Sequence, residues 1–215
     1  MNNIIRTLAV ALVLTIGATS YAQISISAGY DNSTLTNAIY SNEVASNVLY
    51  HGFYAGVGYT IPIVAGLSIT PGVYFESIHA NHVTDMQTFG LRFSGSDKYL
   101  SAPLYVSYGF DLSSSVRLSV FAGPTATLGL SSVIKGYGAY KNSNIKTEET
   151  ISEAYKEGYW KRFDVMLGGG LGIELLRHIR ITVAVNFGMI DRQKTKMFDL
   201  PIKRNQLVAG VTYVF

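Results

Sequence analysis

The residues with the most chemical potential in this chain fall into two groups. Glu76, Ser77 and His79 place a carboxylate, a nucleophile and a base close together in sequence. Those are the ingredients of an acyl-transfer relay. His51 and His82 could join them from neighbouring segments. In extended chain, successive side chains point to opposite faces, so Ser77 and His79 share one face and Glu76 takes the other. The relay is therefore not built locally. His79 and His82 are too few to make a metal site, and His178 lies in a turn at the opposite end. With no cysteine in the chain, thiol catalysis, thiolate ligation and disulfides are excluded. No catalytic residue, metal ligand or cofactor is assigned.

The second group consists of charges that fall on the small, polar side of alternating segments. Arg117, Glu174 and Arg180 map to one end of the fold described below, and Glu76, Arg162, Asp164 and Asp31 to the other. If that side is an interior, opposite charges there must pair, because an unpaired buried charge is costly. Two readings stand. One is a structural salt-bridge plug, with Arg117 and Glu174 as partners; the other is a gated proton or ion path.

What must position these residues is a set of alternating segments. Residues 99–110, YLSAPLYVSYGF, put Leu100, Ala102, Leu104, Val106, Tyr108 and Phe110 on one row. Tyr99, Ser101, Pro103, Tyr105, Ser107 and Gly109 occupy the other. Period-two alternation of this length predicts a β-strand between two different environments. The same pattern recurs over residues 23–30, 50–61, 67–76, 116–130, 162–175, 180–189 and 205–215. These make eight strands, with connections alternating long, short, long, short. Short turns impose antiparallel hairpins. Residues 31–49, 77–97, 131–161 and 191–204 read as long loops. Pro71, Pro103 and Pro124 fall inside strands and remove ladder donors, which predicts bulges or local strain.

Alternation alone fits a water-soluble barrel or a membrane barrel. The polar rows are rich in Gly and Ser rather than Lys and Glu, as a narrow interior requires. Charged residues are only 14% of the chain against 48% hydrophobic. The strands are long enough to cross a bilayer when tilted, and short turns opposite long loops match outer-membrane barrels. Residues 1–22 read as a secretory signal, with Arg6, the apolar run 8–16 and a Ser20-Tyr21-Ala22 cleavage site. The expectation is all-β: a signal peptide at 1–22, then an eight-stranded antiparallel up-and-down transmembrane barrel over 23–215. A formal charge of +3 without a basic cluster gives no case for nucleic acid.

YLSAPLYVSYGF, FAGPTATLGL, RFDVMLGGGLGIEL and the terminal NQLVAGVTYVF resemble the small PorT-like outer-membrane β-barrel family of Bacteroidota. The resemblance spans the chain beyond the signal. It implies an outer-membrane barrel, an accessory role in type IX protein secretion, and no catalytic motif. Tyr213 and Phe215 resemble the C-terminal signal through which the barrel assembly machinery recognises its clients.

The segment 131–161 carries five Lys, four Glu and the aromatic residues Tyr137, Tyr140, Tyr155, Tyr159 and Trp160. It is a candidate contact for a secretion-system or surface protein, or for lipopolysaccharide, and equally a solvated cap over the barrel mouth. The expected function is a non-enzymatic structural or interaction module in contact with outer-membrane lipid and lipopolysaccharide. A lipid-modifying enzyme of the lipid A deacylase or acyltransferase type, and a narrow passive pore, are the alternatives.

Overall fold

A computed structural model of the chain describes residues 23–41, 44–85, 89–140, 146–151, 153–195 and 200–215. The expected signal peptide lies outside the described residues, as do the side chains of His82, Tyr137 and Tyr140. Among the described residues nine strands occur: β1 (Gln23–Ser41), β2 (Val44–Val64), β3 (Leu67–Asp85), β4 (Phe89–Ser113), β5 (Val116–Tyr140), β6 (Lys146–Ile151), β7 (Phe163–Leu175), β8 (Ile179–Gly188) and β9 (Arg204–Val214). Eight of them close into an antiparallel barrel in the order β1-β2-β3-β4-β5-β7-β8-β9. The circle is completed by the β1–β9 ladder, from Ser25↔Val214 to Leu35↔Arg204. The short β6 pairs with the outer part of β5.

Closure follows from the medium. Lipid offers no hydrogen-bond partner to a free strand edge, so each edge must find another strand. The outward row is that of a lipid-facing surface, with Ile26, Val57, Leu104, Leu171 and Val183 all exposed. Aromatic residues mark its borders. Tyr30, Phe53, Phe75, Phe163 and Phe187 are exposed at the outer border, and Tyr108, Phe110, Tyr213 and Phe215 at the inner one, where interfacial girdles belong.

Three of the four expected loops are largely strand. β1 and β2 stay paired up to Ser41↔Val44, β3 and β4 up to Asp85↔Gly90, and β4 and β5 up to Phe89↔Tyr140. Above the belt the alternation inverts rather than stops. Lipid is replaced outside by water, so the outward row turns from Tyr30 to Asn32, from Phe53 to His51 and from Leu100 to Lys98. The inward row becomes apolar instead, with Leu35, Val48, Tyr50 and Ile78 buried. A loop reading mistakes this inversion for the end of the strand. Among the described residues, 153–161, 191–195 and 200–203 keep the irregular course expected of them.

Pro71, Pro103 and Pro124 cause no register shift. Pro71↔Leu104 and Tyr74↔Ser101 lie on one register, as do Pro103↔Thr125 and Val106↔Ala122. The irregularities lie elsewhere, at Leu35/Ile39, Pro62/Val64, Lys98/Tyr99 and Asp111/Ser113. The shift at Lys98/Tyr99 places Leu130 as an extra residue on β5, after which Ser132 rather than Ser131 is buried.

Glycine on the inner row makes room for tyrosine. A Cβ on Gly29 or Gly210 would run into the Tyr54 ring, and one on Gly56 or Gly72 into the Tyr74 ring. Both rings therefore lie flat on the wall instead of crossing the lumen. We predict that Gly29→Val destabilises the barrel by about 1–3 kcal/mol through overpacking. Ala28→Val, on the lipid-facing row, should have little effect. Urea unfolding of the two refolded variants in vesicles, read by heat-modifiable gel mobility, tests the difference.

Candidate functional site

The lumen is built in layers. At the turn end, Glu174 on β7 and Arg180 on β8 are register partners. Glu174 accepts from Arg180 Nη2 at 2.6 Å and Nε at 3.1 Å. Arg117 faces Glu174 across β5 and β7, but its guanidinium lies over Gly109 and donates to that carbonyl at 3.5 Å. Arg117, Glu174 and Arg180 lie at one end, and Arg180 rather than Arg117 is the ion-pair partner of Glu174.

Above this rung lies a cavity of about 440 Å³. Tyr54, Tyr74, Tyr105, Phe121, Asn186 and Gln206 are among the side chains lining it, and it reaches the turn formed by residues 62–67. An eight-stranded barrel is ordinarily filled by its own side chains. Serine, threonine and wall-hugging tyrosine leave the turn-end half of the lumen open.

The ceiling of the cavity is a buried ion cluster. Arg204 Nη2 donates to Glu76 Oε2 at 2.5 Å and to Asp31 Oδ2 at 3.3 Å, and Nε donates to Ser33 Oγ at 3.1 Å. Asp31 also accepts from Gln206 Nε2 at 2.8 Å and from Ser33 Oγ at 2.7 Å. Arg204 is 1% exposed and Asp31 0%, so this pair stands or falls on its internal hydrogen bonds. Sequence reading placed Glu76 and Asp31 here but assigned Arg204 to a loop. Parity would have found it: on the final strand Gln206 opposes the lipid-facing Leu207, and Arg204 lies two residues before Gln206 on the same inner row. Arg162, the cation assigned to this end, is exposed. It donates to the Gly129 carbonyl at 3.1 Å and lies over the Tyr155 ring, outside the lumen. Its position immediately before β7 frees it from the strand's alternation.

A second layer covers the first. The Tyr99 hydroxyl donates to Asp97 Oδ2 at 2.6 Å. The Arg204 and Arg192 guanidiniums approach the Tyr99 ring, 4.1 Å and 5.3 Å from its centroid. Arg192 Nη2 donates to the Tyr155 hydroxyl at 3.2 Å, and the guanidinium also lies over Trp160. Burial works against the charge on Arg192, but Tyr99, Tyr155, Asp97 and Asp164 outweigh it and hold its pKa above the ordinary arginine value. Burial pushes the Tyr155 phenol up, against the pull of Arg192. Asp97 Oδ1, Ser132 Oγ, Asp164 Oδ2, Arg192 Nη1 and Arg204 Nη1 are buried without protein partners, places where ordered water completes such networks. Sequence reading missed Asp97 and Arg192 because both lay in presumed loops.

Three of the candidate partner aromatics, Tyr155, Tyr159 and Trp160, turn inward. Tyr155 and Trp160 pack with Leu35, Tyr50, Tyr99 and Ile202 in one buried cluster, with Tyr159 partly buried against it. They are a lid over the mouth rather than an exposed contact surface. The relay candidates also separate. Glu76 faces the lumen in the grip of Arg204, whereas His79 is exposed on the outer face beside its register partner His51. At the chain end, Tyr213 and Phe215 meet edge-on, with centroids 4.9 Å apart, and Tyr213 stacks on His178. Among the described residues, no group of three or more His, Asp or Glu side chains is gathered to hold a metal.

Comparison with known families matches residues 13–192 to the outer membrane protein beta-barrel domain. The chain belongs to that family. It is an outer-membrane barrel, so the short turns lie on the periplasmic side and the long hairpins face outward. No curated protein matches it in sequence. Solved structures similar to this outer-membrane barrel include Ail, the attachment invasion locus protein of Yersinia pestis, in complex with the heparin analogue sucrose octasulfate. That match has 16% identity and a TM-score of 0.46, covering 90% of this chain and 99% of Ail. Neisserial surface protein A matches at 12% identity and TM-score 0.43, over 91% of this chain and 100% of its own. OprG from Pseudomonas aeruginosa matches at 13% and 0.41, over 90% and 96%.

Replacing Arg204 by methionine would leave the Asp31 and Glu76 carboxylates facing each other without a cation. The expected loss is about 3–5 kcal/mol, the usual cost of breaking a buried pair from one side. Arg180→Gln, at a rung open to the cavity, should lose less. Urea midpoints of the refolded proteins in phosphocholine vesicles report both.

Proposed function

We propose that this outer-membrane barrel is a non-enzymatic interaction module that holds a rigid display surface outside the cell. The observation that carries the reading is the inverted polarity above the lipid belt. The hairpins there have their own core, made of Leu35, Val48, Tyr50, Ile78, Tyr155, Trp160 and Ile202. Groups such as His79, Lys98, Lys161 and Lys194 are left exposed around it. A hairpin with a core holds its outward side chains in a fixed array, and a preorganised surface binds with less ordering cost than a loose loop.

The finer reading makes the barrel an accessory to type IX secretion, and its support is the PorT-like strand and terminal motifs. The partner surface then lies on the exposed rows of the hairpins, not on the buried aromatic lid. A photo-crosslinking residue at Lys98 or Lys161 in living cells should capture the same envelope or surface protein. One at the lipid-facing Leu104 should not. Lipid A from cells lacking the gene should keep its acyl pattern; an altered pattern would overturn the non-enzymatic reading.

A further inference from the structure

We propose that the periplasm-facing half of the lumen binds a small, neutral, polyhydroxylated molecule of mono- to disaccharide size. The space is there. The cavity of about 440 Å³ lies within the range of small-molecule sites, roughly 300–1,000 Å³. It ends above at the Arg204–Glu76–Asp31 cluster and reaches the periplasmic turn at residues 62–67, so a ligand would enter from the periplasm.

The walls set the ligand class. Tyr54, Tyr74, Tyr105 and Phe121 come from four adjacent strands and line the cavity. Tyr54 meets Tyr74 edge-on at 5.9 Å, and Tyr105 lies 5.1 Å from Phe121 between centroids. Aromatic faces of this kind accept the C–H faces of a sugar ring. Between them Ser27, Thr125, Thr182, Asn186, Gln206 and Thr212 add hydroxyls and amides, groups that both donate and accept, as a ring of hydroxyls requires. Asn186 is 3% exposed and gives its amide hydrogen to Gln206 Oε1 at 2.8 Å. Its own carbonyl oxygen has no partner in the protein.

Charge argues against an ionic ligand. Glu174 is matched by Arg180 and Glu76 by Arg204. Arg117 keeps its charge at the mouth beside the Gly109 carbonyl and offsets the second carboxylate of the Arg204 cluster, Asp31, so three cations stand against three carboxylates along the lumen. An apolar ligand is disfavoured as well, because it would strip water from the Ser, Thr, Asn and Gln groups without replacing it. The openness of the wall is itself built in: side chains on Gly29, Gly56, Gly72 or Gly210 would push Tyr54 and Tyr74 off the wall and across the space.

The test is amide NMR on the full barrel, refolded in a zwitterionic detergent without a sugar headgroup and titrated with maltose and N-acetylglucosamine. Acetate, glycine and octanoate serve as charged and apolar probes. The expected result is saturable shifts at millimolar sugar, confined to amides around Tyr54, Tyr105 and Asn186. Val208→Trp, which fills the cavity, should abolish them, and Asn186→Ala should weaken them several-fold. Each variant is first checked for folding by heat-modifiable mobility; if Val208→Trp does not fold, Asn186→Ala alone decides. No saturable shift with either sugar overturns the proposal. So do tighter binding of acetate, glycine or octanoate, shifts confined to the outer hairpins, or binding unchanged in the folded variants. The proposal is independent of the outer display surface, so crosslinking from Lys98 can succeed or fail without bearing on it.

Discussion

The structure depends on a closed ladder. Lipid cannot hydrogen-bond to a strand edge, so β1 must meet β9, and it does so over eleven register pairs. Once that seam is made, each inward residue is committed to a narrow interior and each outward residue to whatever medium lies at its height. A slip of one residue at any ladder would exchange the two rows. The short turns, the glycines of the inner row and the paired charges in the lumen all follow from that commitment.

The rows also explain what sequence could and could not show. Within the belt, contrast between the rows is strong because lipid and lumen differ so much, and all eight barrel strands could be read from it. Above the belt the outer medium is water, and the contrast reverses sign. Asn32, His51 and Lys98 lie outside while Leu35, Tyr50 and Ile78 lie inside. A reading that looks for one fixed pattern ends the strand at that reversal. The loops at 31–49 and 77–97 were an artefact of this crossing, and the strands continue through it.

The same reversal hid half of the ion cluster. Glu76 and Asp31 lie where the belt pattern is still legible, so their inward direction could be assigned. Arg204, Arg192 and Asp97 lie beyond it, in stretches that looked irregular. Arg162 was misplaced for the opposite reason, because the β7 pattern was extended one residue too far. What no alternation can supply is partnership. Arg180 rather than Arg117 holds Glu174, and that choice depends on side-chain reach and on the Gly109 surface against which Arg117 rests.

The lumen therefore has two halves with different physical logic. In the outer half, charges, aromatic rings and an apolar lid fill the space, and Arg204 and Tyr99 join the ion cluster to the lid through the contact at 4.1 Å. In the periplasmic half, small side chains and flattened tyrosines leave it open. Filling the lower half would have required only larger residues at positions such as Ser27 or Thr212, which instead hydrogen-bond each other at 2.8 Å. A barrel selected for stability alone gains from a packed interior. A sealed upper lumen over an open, polar lower one combines a rigid support for the outer hairpins with a chamber accessible from the periplasm.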